Sequence, residues 1–372
     1  MSTNDPIILH LVAADVSLGR LHTLQMLCRT STAGCQHKVI CVGPLDERLR
    51  RLPLCAHVRA PLAADCLRRR ALARAVAALD TGNGRAVALH VWSPTALTWA
   101  AALADRRWPL TIEAEAGDTL NRLLRELERR PPTGTHVIVC ASELAAQRLC
   151  AAGRSARTCL VIPETADPLD IDAARRQRLR SDLGVRPDQK LLLALPPFER
   201  GSGTFTAAWA AMLLEKPRPD VRLCVVGAGY EWRRAQRLAH CGRHEHVVIF
   251  RDECADSARL PAAADLAVYL PPADAPLTAL VWAMAAGGPI VASNVPAVRE
   301  LLEDGISAWL CPPDDPLAAA RTMLMVLESG TAARQRAAAA RRRLETLGSI
   351  SGVIAAYARL HARLTAGTSG SG

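Results

Sequence analysis

Short apolar runs recur along this chain, separated by longer alanine-, leucine- and arginine-rich stretches of helical period. That alternation limits the fold more than any other feature. "PIILHLVA" (6–13), "HKVICVG" (37–43), "AVALHVW" (86–92), "PLTIEA" (109–114), "HVIVCAS" (136–142) and "TCLVIP" (158–163) each read as a strand. Continuous apolar runs of this length suit a parallel sheet covered by helices on both faces. The pattern breaks over 163–189, where "PETADPLD", an arginine-rich helix and "LGVRPDQK" read as a linker. It then restarts with strands at 190–197, 221–229, 246–250, 265–270, 288–293 and 308–312 and a helix over 203–214, and two long helices follow at 316–328 and 331–363. The expected architecture is therefore α/β, with two Rossmann-like doubly wound domains in tandem and a ligand cleft between them. The expected bounds are 1–165 for the first domain, 166–349 for the second, 350–364 for a closing helix and 365–372 for a disordered tail.

The charge narrows the partners. Of the 46 basic residues only Lys38, Lys190 and Lys216 are lysine, leaving 43 arginines, and the net charge is +10. Residues 1–165 hold 21 basic and 14 acidic residues, including the runs Arg68–Arg70, Arg106–Arg107 and Arg129–Arg130. A GC-rich genome explains so much arginine and alanine; a preference for phosphates or an acidic membrane surface explains it too. No aromatics interleave with the runs, which argues against nucleic acid and leaves peripheral membrane contact open. No apolar run is long enough to span a bilayer and no signal peptide is present, so the cytoplasm is the expected location. The 12 cysteines form no C-x-x-C pair and match no zinc spacing. They read as small buried hydrophobes in a reducing compartment.

"GAG" (Gly227, Ala228, Gly229) after a strand resembles a dinucleotide fingerprint but lacks its third glycine. A turn that lets backbone approach a ligand is the better reading. A more specific signal is the ordered series "LLLALPPFERGSGTFTAAWAAML", "RLCVVGAG", "HVVIFRDE" and "LPAAADLAVYLPPADAPLTALVWAMAAGGPIVASNVPAVRELLEDGISAWLCPPDDPLAAA". It resembles the donor-binding domain of retaining glycosyltransferases with the GT-B fold, family 4 (glycosyl transferases group 1), over most of 186–330. The first half is similar to that family in outline only. The resemblance implies transfer of a sugar from a nucleotide-diphosphate donor to a glycan or lipid-linked acceptor hydroxyl. It implies retention, no metal and no cofactor besides the donor, with a last helix that returns to the first domain.

The resemblance also assigns residues, and several depart from the family pattern. The loop after the strand at 265–270 carries two glutamates in the family; here Asp274 stands at the first position and Trp282 at the second. Aspartate keeps the acceptor oxygens on a shorter arm, whereas an indole accepts no hydrogen bond and would have to hold the ribose by stacking. The family's pyrophosphate-binding arginine and lysine fall at Leu195 and Arg200, so one cation is kept. Arg200, with Gly201 and the helix start behind it, would bind the diphosphate, aided by Gly227 and Gly229 and by the second helix start at Leu277 and Thr278. On the acceptor side Glu113 and Glu115 occupy a stretch where the family often has a histidine, and His90 stands one strand earlier. Simpler readings stand beside these. Asp274 would serve as a helix cap for the segment starting near Leu277, Trp282 as core, and His90 as a buried strand histidine. The departures at 195 and 282 also admit a catalytically inactive relative that acts as a binding or partner subunit. A phosphorylase on the same scaffold would need a lysine-bound cofactor, which three lysines barely supply.

Overall fold

The computed structural model describes residues 5–30, 35–59, 65–79, 87–106, 108–132, 134–196, 201–252 and 259–366. The chain divides into two compact units, Met1–Pro163 with Ser351–Gly372, and Glu164–Ile350.

The first unit is built on seven parallel strands: β1 (Ile7–Val12), β2 (Gln36–Val42), β3 (Leu54–Val58), β4 (Val87–Val91), β5 (Leu110–Ala114), β6 (His136–Cys140) and β7 (Cys159–Val161). Their order across the sheet is β3-β2-β1-β4-β5-β6-β7, so the chain winds outward from β1 in one direction and then in the other. The helices between them are α1 (Leu18–Arg29), α2 (Glu47–Arg50), α3 (Asp65–Ala78), α4 (Pro94–Ala100), α5 (Asp118–Arg129) and α6 (Glu143–Ala151). All six residues of β1 and all five of β4 are buried, as strands covered on both faces require. Helix α5 shows the complementary logic. Leu120, Leu123 and Leu127 line its buried stripe, and its arginines and glutamates take the other side. Each leucine so buried contributes about 1.5–3 kcal/mol.

The second unit holds a six-stranded parallel sheet ordered β10-β9-β8-β11-β12-β13. Its strands are β8 (Lys190–Ala194), β9 (Val221–Val226), β10 (Val248–Arg251), β11 (Leu266–Tyr269), β12 (Ile290–Ser293) and β13 (Trp309–Cys311). Its helices are α7 (Ala173–Asp182), α8 (Thr204–Leu213), α9 (Tyr230–Gly242), α10 (Leu260–Ala263), α11 (Thr278–Ala286), α12 (Pro296–Leu301), α13 (Pro316–Glu328) and α14 (Thr331–Leu347). The last helix, α15 (Ile350–Ala366), belongs to the first unit from Ser351 onward.

Several expectations need correction. The reading of strands passed over β3, an edge strand of five residues whose burial alternates instead of running continuously. The helix expected over 331–363 ends at Leu347, and Gly348, whose φ of +112° suits no other residue well, separates it from the closing helix expected over 350–364. The strand expected to run into a glycine turn over 221–229 does so, ending at Val226. Thr365 and Ala366, expected in the tail, close α15, and 367–372 lie outside the described residues. The ten described cysteines are free, but only four are buried, while Cys55, Cys150 and Cys241 are exposed. Burial pushes the thiols of Cys41 and Cys311 up to about 11, so these two are inert at neutral pH.

Candidate functional site

In the second unit the loops at the carboxyl ends of adjacent strands hold the sequence-predicted residues. After β8 the chain turns through Gly201 (φ +76°) and Gly203 (φ +75°) into α8. Gly203 presses against the carbonyl of Leu270, where a Cβ would overlap that oxygen. The turn after β8 and the loop after β11 are thereby in contact. After β9, Gly227 (φ +140°) donates its N–H to the Arg251 carbonyl at 2.9 Å, and Gly229 (φ +155°) starts α9. After β11, Leu277 precedes α11, with the loop pinned by the Tyr269 hydroxyl, which donates to Pro276 O at 2.6 Å. Burial raises the Tyr269 pKa, so that proton stays in place.

Helices α1, α2, α4, α6, α7 and α13 each start on a serine or aspartate whose side chain accepts a first-turn N–H. Helices α8, α9 and α11 start on Gly203, Gly229 and Leu277, which supply no side-chain cap of their own, although Ser202 Oγ accepts the Thr204 N–H of α8 at 3.4 Å. Their first-turn amides follow three neighbouring strands, β9, β8 and β11, and form donor arrays suited to an anion.

Asp274 is half-buried in the loop before α11, yet it caps a different helix. Its Oδ1 accepts the N–H of Ala297 at 2.8 Å, in the first turn of α12, whose own Val295 supplies no cap. The expected cap for the segment near Leu277 is therefore corrected to a cap for α12. The Thr278 hydroxyl donates to Glu164 Oε2 at 2.6 Å. Of residues 278–285 on α11, Trp282 alone keeps exposed surface, so it is not the fully enclosed core residue of the simpler reading. Leu195 is 3% exposed and its N–H donates to Val268 O, which makes it a core residue of the sheet. Arg200 lies outside the described residues.

In the first unit His90 is the hub of a buried polar network. Its Nε2 donates to Glu113 Oε1 at 2.7 Å, and its Nδ1 meets His361 Nε2 at 3.1 Å. Glu113 also accepts the Tyr357 hydroxyl at 3.0 Å and pairs with Arg20 at 3.1 Å; Arg20 in turn donates to that hydroxyl at 2.9 Å. Glu115 accepts from Ser17 and lies near Arg20. Alongside, Trp92 Nε1 donates to His10 Nδ1 at 3.0 Å, and His10 Nε2 meets His37 Nδ1 at 2.8 Å. These contacts define tautomers. With Nδ1 accepting from Trp92, neutral His10 carries its proton on Nε2 and donates to His37. With Nε2 donating to Glu113, neutral His90 accepts on Nδ1 from His361. Burial lowers the pKa of His10 and His361 well below the usual range and that of His37 to about 4. His90 is lowered by burial too, with Glu113 acting in the opposite direction.

Sequence reasoning named His90, Glu113 and Glu115 and missed Arg20, Tyr357, His361 and His10. A polar ring inside two all-apolar strands was the available signal for the histidines, because His10 and His90 sit in register on β1 and β4. Nothing local links Arg20 to Tyr357, which lie 337 positions apart. Of the arginine runs, Arg68 is buried with its guanidinium 6.0 Å from the Trp99 ring, while Arg129 and Arg130 both pair with Glu126. Among the described residues no cluster of three or more His, Cys, Asp or Glu is arranged to hold a metal ion, and no helix is long and apolar enough to cross a membrane.

The two sheets and the returning helix match solved structures throughout. Anabaena HepE, crystallised with UDP and glucose, aligns with a TM-score of 0.77 at 18% identity over 96% of this chain and 100% of that one. Sucrose-phosphate synthase from Thermosynechococcus elongatus aligns with a TM-score of 0.74 at 18% identity, over 97% and 100%. The chain has the GT-B glycosyltransferase fold. Residues 193–329 match the Glycosyl transferases group 1 family, so the second unit carries a domain of that family. N-acetyl-alpha-D-glucosaminyl L-malate synthase of Bacillus anthracis is 25% identical over 153 residues, which spans 41% of this chain and 39% of that relative.

Proposed function

We propose that this chain transfers a sugar from a nucleoside-diphosphate donor to a glycan or lipid-linked hydroxyl, with retention at the anomeric carbon and without a metal ion. The observation that carries the reading is the set of helix starts α8, α9 and α11, on residues that supply no side-chain cap, behind adjacent strands. A diphosphate leaving group needs its growing negative charge met by fixed dipoles, and helix-terminal amides provide them without reorganisation. Arg200, which precedes Gly201 in the sequence, supplies the guanidinium, and Asp274 flanks the oxocarbenium-like sugar as its bond to the diphosphate oxygen breaks. Trp282, with exposed surface on α11, offers the ribose a stacking face where the family has a glutamate. On the acceptor side His90 holds Glu113 in place instead of meeting substrate itself.

The structure of HepE with UDP makes UDP-linked sugars the first donors to test. Calorimetry with UDP, followed by product detection over UDP-, GDP- and ADP-sugars, checks the proposal. NMR of the product anomer reads retention, and activity in excess EDTA reads metal independence. Absence of nucleotide binding at millimolar concentration would leave a binding scaffold with the same fold.

A further inference from the structure

A second charged site lies on one flank of the second unit, lined by α9, the edge strand β10 and the loop between α7 and β8. It is an open groove of ≈ 930 Å³. Five arginines line it: Arg186, Arg222, Arg233, Arg237 and Arg251. The lining holds one carboxylate, Glu245, which is engaged by His240 at 2.7 Å.

Some arginines elsewhere in this unit meet carboxylates, while others, such as Arg299 and Arg336, meet carbonyls. Arg180, Arg218 and Arg341 each meet a carboxylate at 2.7–2.8 Å. In the groove, among the described residues, Arg186 alone has such a contact, with Asp188, whose charge also attracts Arg222 at longer range. Arg222 donates to the carbonyls of Pro219 and Val221, at 2.9 and 2.6 Å, and Arg251 donates to that of Phe250 at 3.0 Å. Carbonyls position a guanidinium without neutralising it. Arg233 and Arg237, one turn apart on α9, have no carboxylate partner among the described residues, and like charges at that spacing repel. The neighbouring Glu231 is turned to Arg234 instead, at 3.2 Å. Four guanidinium groups with no carboxylate in ion-pair contact among the described residues thus line one concavity.

The shape of the lining narrows the ligand. Three rings line the groove: Phe250, packed edge-on against Trp232 at 5.3 Å, and His240 and His246, which engage Glu245 and Glu215 at 2.7 Å. Guanidinium forks match phosphate oxygens bidentately. We propose that this groove binds a compact polyanion bearing two or more phosphate groups, separately from any donor held by the loops at the strand ends. The same chemistry is offered by a free polyphosphorylated metabolite and by a phosphorylated lipid headgroup.

Titration of the full chain with inorganic tripolyphosphate, in saturating UDP and again without it, tests the first source. Sedimentation with phosphatidylcholine vesicles containing phosphatidic acid tests the second. Binding to at least one probe is expected, weakening about tenfold or more between low and moderate salt. The double variant R222Q/R237Q is expected to weaken it by about tenfold or more, with UDP affinity unchanged. R233Q/R251Q serves as an independent pair should the first variant fold poorly. Loss of tripolyphosphate binding alone assigns a free ligand; loss of vesicle binding assigns a lipid. Binding that both variants retain in full, or no binding of either probe at millimolar phosphate, overturns the site.

Discussion

The carboxylate of Glu113 takes a hydrogen bond from His90, another from Tyr357 and the charge of Arg20, all away from water. Removing one member of a buried ion pair strands the other, at a cost of about 3–5 kcal/mol. Glu113→Ala should therefore lower the unfolding free energy of the first unit, read from urea titration, by an amount in that range. Glu113→Gln, which keeps an acceptor, should cost less. The histidines beside it make the unit acid-sensitive. His37 is neutral when folded, with a pKa near 4 against an ordinary 6.5. Between those values the unfolded chain binds more protons, so stability is full above pH 6.5, falls through the window and levels off below pH 4. The loss from this one ring is on the order of 3 kcal/mol. Urea titrations at pH 7, 5.5 and 4.5 should show that slope, and His37→Gln should flatten it. Asp274 separates two roles. Asp274→Asn keeps an oxygen for the Ala297 amide, so it should leave stability near wild type while lowering kcat of the proposed transfer. Asp274→Ala should lower both, with the lost cap worth about 1 kcal/mol. Of these residues, Asp274 and His90 were visible in the sequence as polar groups in apolar surroundings. Their partners were not, because Ala297 contributes only a backbone amide and His361 is 271 positions from His90.

At the scale of elements, the turns at the strand ends carry more information than the strands. Gly201 and Gly203 both have left-handed φ, but Gly201 faces open space whereas Gly203 abuts the Leu270 carbonyl. Gly201→Ala should cost about 1 kcal/mol from backbone strain alone. Gly203→Ala must also push the turn off the β11 loop, and should lower the thermal midpoint several-fold more. Strands buried on both faces were legible because an unbroken apolar run of that length has few other uses; β8 and β11 are examples. Strand β3 was not, since half of "LCAHV" faces outward at the sheet edge. The break between α14 and α15 had a signal in "LGS", just ahead of the closing helix expected from 350.

For the whole molecule, the repeated β–α alternation marked parallel sheets with helices on both faces, and the structure has two of them. The order of strands within each sheet was beyond reach, because it depends on crossover choices that leave no local trace. A donor that binds only the folded second unit should raise its stability by about 2.7 kcal/mol at a hundred times Kd. Thermal melts with rising UDP should show a shift that R222Q/R237Q leaves intact. The return of α15 has a further bearing on how the protein is made. Tyr357 and His361 complete the interior around Glu113 and His90, yet they emerge from the ribosome after the entire second unit. The portion translated first is thus the portion finished last, and the nascent amino-terminal half must wait with its buried charges incompletely enclosed while the other half folds.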